Sequence, residues 1–158
     1  MTRRFRRKPI STKTKATTSP RPESRLGWAE RKKITAIALA GDRLVRFCRT
    51  LPEATVTAHD RHLGFQVRGR TFAWFVDDEH GDGRVAVLCK APAGENTGLV
   101  ASDPHRFYLP RYVGKRGWVG LRLDLQDVDW GEVAELVADS YRLVAPRRLA
   151  GLVDQSLA

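Results

Sequence analysis

Apolar positions in the first part of the folded sequence follow a helical period. Between residues 29 and 51 they recur at steps of three and four, from Ile34 to Leu51, and Pro52 ends the run. This spacing places the apolar side chains on one face, which predicts an amphipathic helix over residues 29–51.

The middle of the chain changes to the period of two that is typical of strands. Strands are predicted at Thr55–Ala58, Leu63–Val67, Phe72–Val76 and Arg84–Cys89, with a tight basic turn between the second and third and a longer acidic turn before the fourth. Turns of this length between apolar segments are typical of hairpins, so the strands are expected to pair in antiparallel fashion.

Two of these strands allow a prediction about which face each side chain occupies. Phe72, Trp74 and Val76 alternate with Thr71, Ala73 and Phe75, so the first three are expected to share one face of the sheet. The segment Arg84–Cys89 is apolar at nearly every position, as expected of a strand that is covered on both faces.

The last third of the chain returns to helical periodicity. A short helix is predicted at Glu95–Ala101 and a strand at Trp118–Asp124. Asp129 and Glu132 then have the spacing of a capping box, and the helix that they begin is broken by Pro146, before a short final helix over Arg147–Leu157. Hairpins bracketed by helices predict an α+β fold, with a two-layer arrangement of an antiparallel sheet and flanking helices.

Composition agrees with one folded domain, here predicted over residues 34–158, because 42% of the 158 residues are hydrophobic. No stretch approaches the roughly 18 apolar residues of a membrane span, so a cytoplasmic location is expected.

Cys48 and Cys89 lack the spacing of metal ligands and are expected to be buried and reduced. His59 and His62 have no second ligand pair, and no phosphate-binding loop is present, so no metal or cofactor is predicted.

Charge is distributed very unevenly. Residues 1–33 hold twelve Lys or Arg against two Glu, whereas residues 34–158 hold sixteen charged residues of each sign, so the whole excess of +10 lies in the first segment. This segment is rich in Arg, Lys, Thr, Ser and Pro and has little to bury, which predicts a basic, disordered N-terminal arm. A polycation of this kind binds nucleic-acid phosphates through counterion release. The alternative is a solubilising extension that precedes the true start of the protein.

The candidate nucleic-acid-binding residues are cations and aromatic residues in the arm and in predicted turns. They are Arg3, Arg4, Arg6, Arg7 and Lys8 in the arm, and Arg68, Arg70, Lys90, Arg111, Tyr112, Lys115, Arg116 and Trp118 in the domain. Cations neutralise phosphates and aromatic faces stack on bases. The structural alternatives are that Tyr112 and Trp118 belong to the core, that Arg68 and Arg70 only solvate a turn, and that Lys90 pairs with a carboxylate.

Several segments together resemble the MmcQ/YjbR family. They are LPEAT, GFQVRGRTFAWF, VLCKAP, FYLPRYVGKRGWVGLRLD and VDWGEVAELVADSYRLVAPRRL, and the resemblance covers roughly residues 41–150. It implies a compact α+β domain similar to the CyaY-like fold. Its members are described as DNA-binding proteins of a double-wing type, and the resemblance implies no catalytic residues.

The sequence therefore predicts a non-enzymatic protein that binds DNA, in preference to RNA, mainly by neutralising phosphates. Two other functions stay open. The domain is a protein-interaction module if its surface carries a contiguous apolar patch. It is a small-molecule-binding protein or an enzyme if a deep pocket gathers polar groups that are scattered in the sequence. Ser140 lies in mid-helix without the turn that activates a nucleophilic serine.

Overall fold

Six strands form a single antiparallel sheet in the computed structural model, which describes residues 26–157. The strands are β1 (Ala54–His59), β2 (His62–Val67), β3 (Arg70–Asp77), β4 (Val85–Lys90), β5 (Phe107–Tyr108) and β6 (Trp118–Arg122). Their order in the sheet is β1-β2-β3-β4-β6-β5. The helices are α1 (Trp28–Cys48), α2 (Glu95–Ser102), α3 (Trp130–Val144) and α4 (Arg147–Leu157). The predicted α+β fold class is confirmed.

The first helix differs slightly from its prediction at both ends. It begins at Trp28, so residues 28–33 of the segment predicted as the arm form its first turns. It ends at Cys48 because Thr50 and Leu51 donate their backbone N–H groups to the carbonyls of Phe47 and Cys48, which tightens the chain into a turn. Residues 1–25 lie outside the described residues.

The main core lies between the sheet and the helices α1 and α3. Leu44 and Cys48 of α1 and Val137 and Tyr141 of α3 are buried against the inner face of the sheet. Cys89 of β4 is buried in the same core, and both cysteines are free thiols, as predicted. Burial raises the pKa of the Cys48 thiol to about 12 and also raises the pKa of Cys89.

The outer face of the sheet carries a smaller apolar cluster. Val76, Ala86 and Leu88 are buried there beneath the half-buried rings of Trp74, Tyr108 and Trp118. The sheet makes room for these rings by placing glycines beside them. A methyl group at Gly64 would lie 3.0 Å from the Trp74 ring, and one at Gly120 would overlap the ring of Tyr108. Strand β4 is therefore covered on both faces, as its sequence predicts.

A β-bulge in β3 corrects one sequence prediction. Ala73 pairs with Phe65 while Thr71 pairs with Gln66, so Phe72 is an extra residue in the strand. The bulge turns Phe72 into the main core, whereas Trp74 and Val76 lie on the outer face. The prediction that these three side chains share one face was wrong, because an extra residue shifts the alternation by one position.

Ser140 of α3 satisfies the backbone groups at this irregular point of the sheet. Its hydroxyl donates to the carbonyl oxygen of Phe72 at 2.5 Å and accepts from the backbone N–H of Lys90 at 2.8 Å. The side chain is fully buried, and neighbouring Tyr141 donates to the carbonyl of Pro52 at 2.7 Å. These bonds fix α3 against β3 and against the end of β4.

Asn96 performs a similar role at the start of α2. It is buried, and its Nδ2 donates to the carbonyl oxygens of Gly114, at 2.9 Å, and Trp118, at 3.2 Å. Its Oδ1 accepts from the backbone N–H of Thr97 at 2.9 Å. The amide thereby fastens α2 to the short 3-10 turn Gly114–Arg116 and to the start of β6.

Replacing Ser140 with Ala should lower the free energy of unfolding by about 1–3 kcal/mol, because the carbonyl of Phe72 loses its donor and the N–H of Lys90 its acceptor. Urea denaturation followed by circular dichroism measures the change. Ser102→Ala is the control, since its hydroxyl bonds only to an exposed carbonyl within its own helix. Equal stability of the two variants would contradict the role assigned to Ser140.

Asn96→Asp keeps the shape of the side chain but replaces the amide NH2 donor with a carboxylate oxygen. A buried negative charge then faces the carbonyl oxygens of Gly114 and Trp118. We expect a loss of about 3 kcal/mol or more in the free energy of unfolding at neutral pH. Gln66→Glu is the matched control, because Gln66 is half-buried on the sheet and makes only one long hydrogen bond, of 3.5 Å, to Thr71. A comparable loss in both variants would show that Asn96 has no special structural role.

Candidate nucleic-acid interface

The strand register brings several predicted cations to one end of the sheet. Strand β2 ends at the basic turn where β3 begins, since Val67 pairs with Arg70. Strand β4 ends at the same edge, where Lys90 pairs with Trp118, the first residue of β6. We call this end of the sheet the basic end, and we define it by Arg68, Arg70, Lys90, Lys115 and Arg116.

A cleft of about 640 Å³ opens at the basic end. One wall is the connection from β4 to α2 and the other is the 3-10 turn Gly114–Arg116. Lys90, Lys115 and Arg116 line this basic cleft, and the side chains of Ala91, Ala93 and Leu109 give it an apolar floor. The cleft therefore combines positive charge with an apolar surface.

The three cations of the basic cleft are not neutralised by neighbours. Among the described residues, none of them forms an ion pair, and no Asp or Glu lines the cleft. Glu95 lies in the first turn of α2 but does not line the cleft. Like charges held near one another without a counter-charge favour the binding of an anion.

Backbone contacts hold the two walls of the cleft together. The N–H of Ala91 donates to the carbonyl of Gly117 at 2.9 Å, which supplements the bonds of the Asn96 amide. Gly117 ends the 3-10 turn with a φ of 88°, a conformation that favours glycine. The chain can therefore reverse directly after Lys115 and Arg116 and leave both side chains exposed.

Arg68 and Arg70 flank the same hairpin turn but differ in their surroundings. The Arg68 guanidinium forms an ion pair and hydrogen bonds with Glu53, and Arg148 lies 3.6 Å from the same carboxylate. The hydrogen bond from Arg68 lowers the pKa of Glu53. Arg70 is exposed and forms no ion pair within residues 26–157. Arg70 is therefore the cation of this turn that is available to a ligand.

The aromatic and cationic segment from residue 105 to 124 does not form one surface. Arg111 lines a separate depression of about 330 Å³ with the acidic Glu79 and Asp82. Tyr112 is 68% exposed, and the edge of its ring contacts His80 at 5.1 Å between centroids. Trp118 is half-buried in the outer-face cluster and does not line the basic cleft. Arg111 and Tyr112 thus do not line the cleft, and Trp118 does not line it either, although it pairs with Lys90 in the sheet.

Arg106 serves the fold instead of a surface. Its guanidinium donates to Asp103 at 2.6 Å and forms an ion pair with Glu132 of α3. Glu132 therefore contacts Arg106, while Asp129 caps α3 by accepting from the N–H groups of Gly131 and Glu132. The predicted cap is confirmed for Asp129.

Sequence reasoning missed the apolar floor and the walls of the basic cleft. Ala93 and Leu109 are small or aliphatic residues in connecting segments, with no feature that distinguishes them from ordinary loop residues. The available clue was the pair of glycines, Gly114 and Gly117, that brackets Lys115 and Arg116.

The predicted arm residues Arg3, Arg4, Arg6, Arg7 and Lys8 lie outside the described residues. Within residues 26–157, no helix has both the length and the apolar character needed to cross a membrane.

Comparison with known proteins agrees with this architecture. No curated protein matches the chain. A crystal structure of the Deinococcus radiodurans protein DR2400, which has the family-model domain DUF419, superposes with a TM-score of 0.54 and 26% sequence identity, over 65% of this chain and 75% of that one. The model of the YjbR family matches residues 49–143, from the end of α1 to the end of α3. This match covers the strands and helices that form the basic cleft, and it shows that the chain belongs to the YjbR family.

Proposed function

We propose that this protein binds nucleic acid, with DNA as its ligand, and that it binds chiefly by neutralising phosphates at the basic end of the sheet. The observation that carries this proposal is the convergence of Lys90, Lys115 and Arg116 on one cleft that no acidic residue lines. Arg70 extends the same positive edge to the neighbouring hairpin.

Counterion release supplies the driving force for this mode of binding. Each phosphate that a Lys or Arg neutralises releases condensed cations from the DNA, and it contributes about 0.9 to the slope of log K against log salt. Cations that already have a protein carboxylate as partner release fewer ions, because their charge is partly compensated before binding. The unpaired cations of the cleft are therefore more effective than Arg68, which Glu53 partly neutralises.

We propose no reaction for this site. The serine that sequence reasoning considered as a nucleophile, Ser140, is fully buried, and its hydroxyl is used in bonds to Phe72 and Lys90. Cys48 and Cys89 are also buried, and their raised pKa values keep them as unreactive thiols. Binding without chemistry is the function that these side chains support.

A protein partner is the second candidate, and a feature of α1 favours it. Trp28 and Leu39 are 67% and 60% exposed. They are eleven residues apart, which is about three helical turns, so they lie on the same face of the helix. Part of the Trp28 ring is covered by the Lys32 ammonium, 4.2 Å from its centroid. An exposed apolar face of this kind could bind another protein, and this becomes the favoured function if the protein does not bind DNA.

The double substitution Lys115→Gln and Arg116→Gln should weaken binding of duplex DNA and make its salt dependence shallower. Because two cations are removed, we expect the slope of log K against log salt to fall by about 1–2. Fluorescence anisotropy with labelled duplex DNA, repeated over a series of salt concentrations, measures both quantities in the full-length protein.

Arg46→Gln is a control for the loss of a positive charge outside the cleft, and it removes one charge where the test variant removes two. Arg46 is exposed on α1, and the described part of the chain provides no ion pair for it. It lies on a helix that packs on the inner face of the sheet, and it does not line the cleft. If the cleft variant has the same affinity and slope as the wild type, the basic cleft is not the binding site.

The arm should make a separate contribution to binding. Replacing Arg3, Arg4, Arg6 and Arg7 with Ser removes up to four phosphate contacts, so the salt slope should fall by up to about 3–4 with the cleft intact. The same anisotropy titration measures this change. An unchanged slope in the arm variant would exclude the arm from the binding surface.

A further inference from the structure

We propose that the basic cleft binds a single unpaired nucleotide, with its phosphate on the cations and its base and sugar on the apolar floor. This inference rests on the proposed function, because it specifies which form of DNA the same site takes. The cleft itself then takes a strand end or an unpaired nucleotide with an accessible phosphate, while the exposed cations Lys115 and Arg116 also contact the phosphates of a duplex.

The size of the cleft is the first argument for a nucleotide. Its volume is about 640 Å³, and sites for small organic ligands are typically about 300–1,000 Å³. A protein that contacts only duplex phosphates places cations on a surface and has no need for a concave site of this size. The volume of the cleft therefore suits one nucleotide.

The arrangement of charge is the second argument. Lys90 approaches from the end of β4, while Lys115 and Arg116 approach from the 3-10 turn that forms the other wall. Cations on two walls surround one anion, whereas successive phosphates of a backbone require a row of cations. A terminal phosphate carries nearly two negative charges and accepts several charge-assisted hydrogen bonds, so it matches this arrangement.

The remaining surface of the cleft explains how the base is held. Ala91, Ala93 and Leu109 provide aliphatic contacts, and the Leu109 side chain is still 45% exposed. The polar side chains nearby already use their donors. Asn96 donates to Gly114 and Trp118, and the Thr97 hydroxyl donates to the carbonyl of Gly94 at 2.8 Å. The cleft therefore makes apolar contact with a base, with no preference between bases.

The experiment uses the full-length protein and three unlabelled probes. Isothermal titration calorimetry compares deoxyadenosine 5′-monophosphate, deoxyadenosine and inorganic phosphate at low salt. We expect the monophosphate to bind at least about tenfold more tightly than either of the other two, because only it contacts both the cations and the apolar floor.

Ala93→Phe separates this inference from the proposed function. Ala93 is exposed, and a phenyl group there fills the floor while leaving all three cations in place. Monophosphate affinity should fall by about tenfold or more, and by a larger factor than duplex affinity, because the phosphate contacts of the cations remain. Ala101→Phe is the control, since Ala101 is exposed on α2 outside the cleft. Lys115→Gln with Arg116→Gln should weaken both ligands.

Two results overturn the nucleotide inference and leave the proposed function intact. The first is equal binding of inorganic phosphate and the monophosphate with no effect of Ala93→Phe, which would make the cleft a simple anion site. The second is no monophosphate binding although the double variant still loses duplex affinity. If the double variant binds duplex DNA as the wild type does, the proposed function fails as well.

Discussion

The position of the basic cleft depends on the buried hydroxyl of Ser140. The bulge at Phe72 leaves a carbonyl without a ladder partner, and a buried unpaired carbonyl is costly. Ser140 donates its hydroxyl hydrogen to that carbonyl, and its oxygen accepts from the N–H of Lys90. One side chain of α3 therefore stabilises the bulge in β3 and also fixes the point at which β4 leaves the sheet. The wall that begins at Lys90 is fixed by the same bond.

The carboxylates at the opposite end of the sheet are too distant to neutralise the basic cleft. The strand β3 runs from Arg70, at the basic end, to Asp77, which pairs with Arg61 at the other end. Its eight residues span about 26 Å, well beyond the screening length of about 8 Å at physiological salt. Acidic residues such as Asp78 and Asp124 therefore scarcely weaken the field at the basic cleft, although the domain from residue 34 onward is neutral.

Sequence periodicity was sufficient for the fold class and, in the described part of the chain, for the four helices and five of the six strands, because helices and covered strands each impose a repeating pattern on neighbouring residues. It missed β5, which has only two residues and so has no repeat. It failed at Phe72, where a single extra residue leaves no mark on composition. It also treated residues 105–124 as one surface, whereas long-range partners such as Glu132 for Arg106 and His80 for Tyr112 separate them. Only the cations of the cleft could be predicted from the sequence, because the residues of its floor come from segments that are distant in the chain.

Under the proposed function, the arm and the cleft both contribute phosphate contacts to one ligand. Near its start, α1 lines a groove with Gly83 and Asp124, at the end of the sheet opposite the basic cleft, and it ends at Cys48, near the start of β1. The described part of the chain therefore begins far from Lys115 and Arg116. Under the proposed function, the phosphate contacts of the arm and those of the cleft each add to the salt slope. Independent contributions are what we expect of a site that positions one nucleotide and an arm that supplies general affinity.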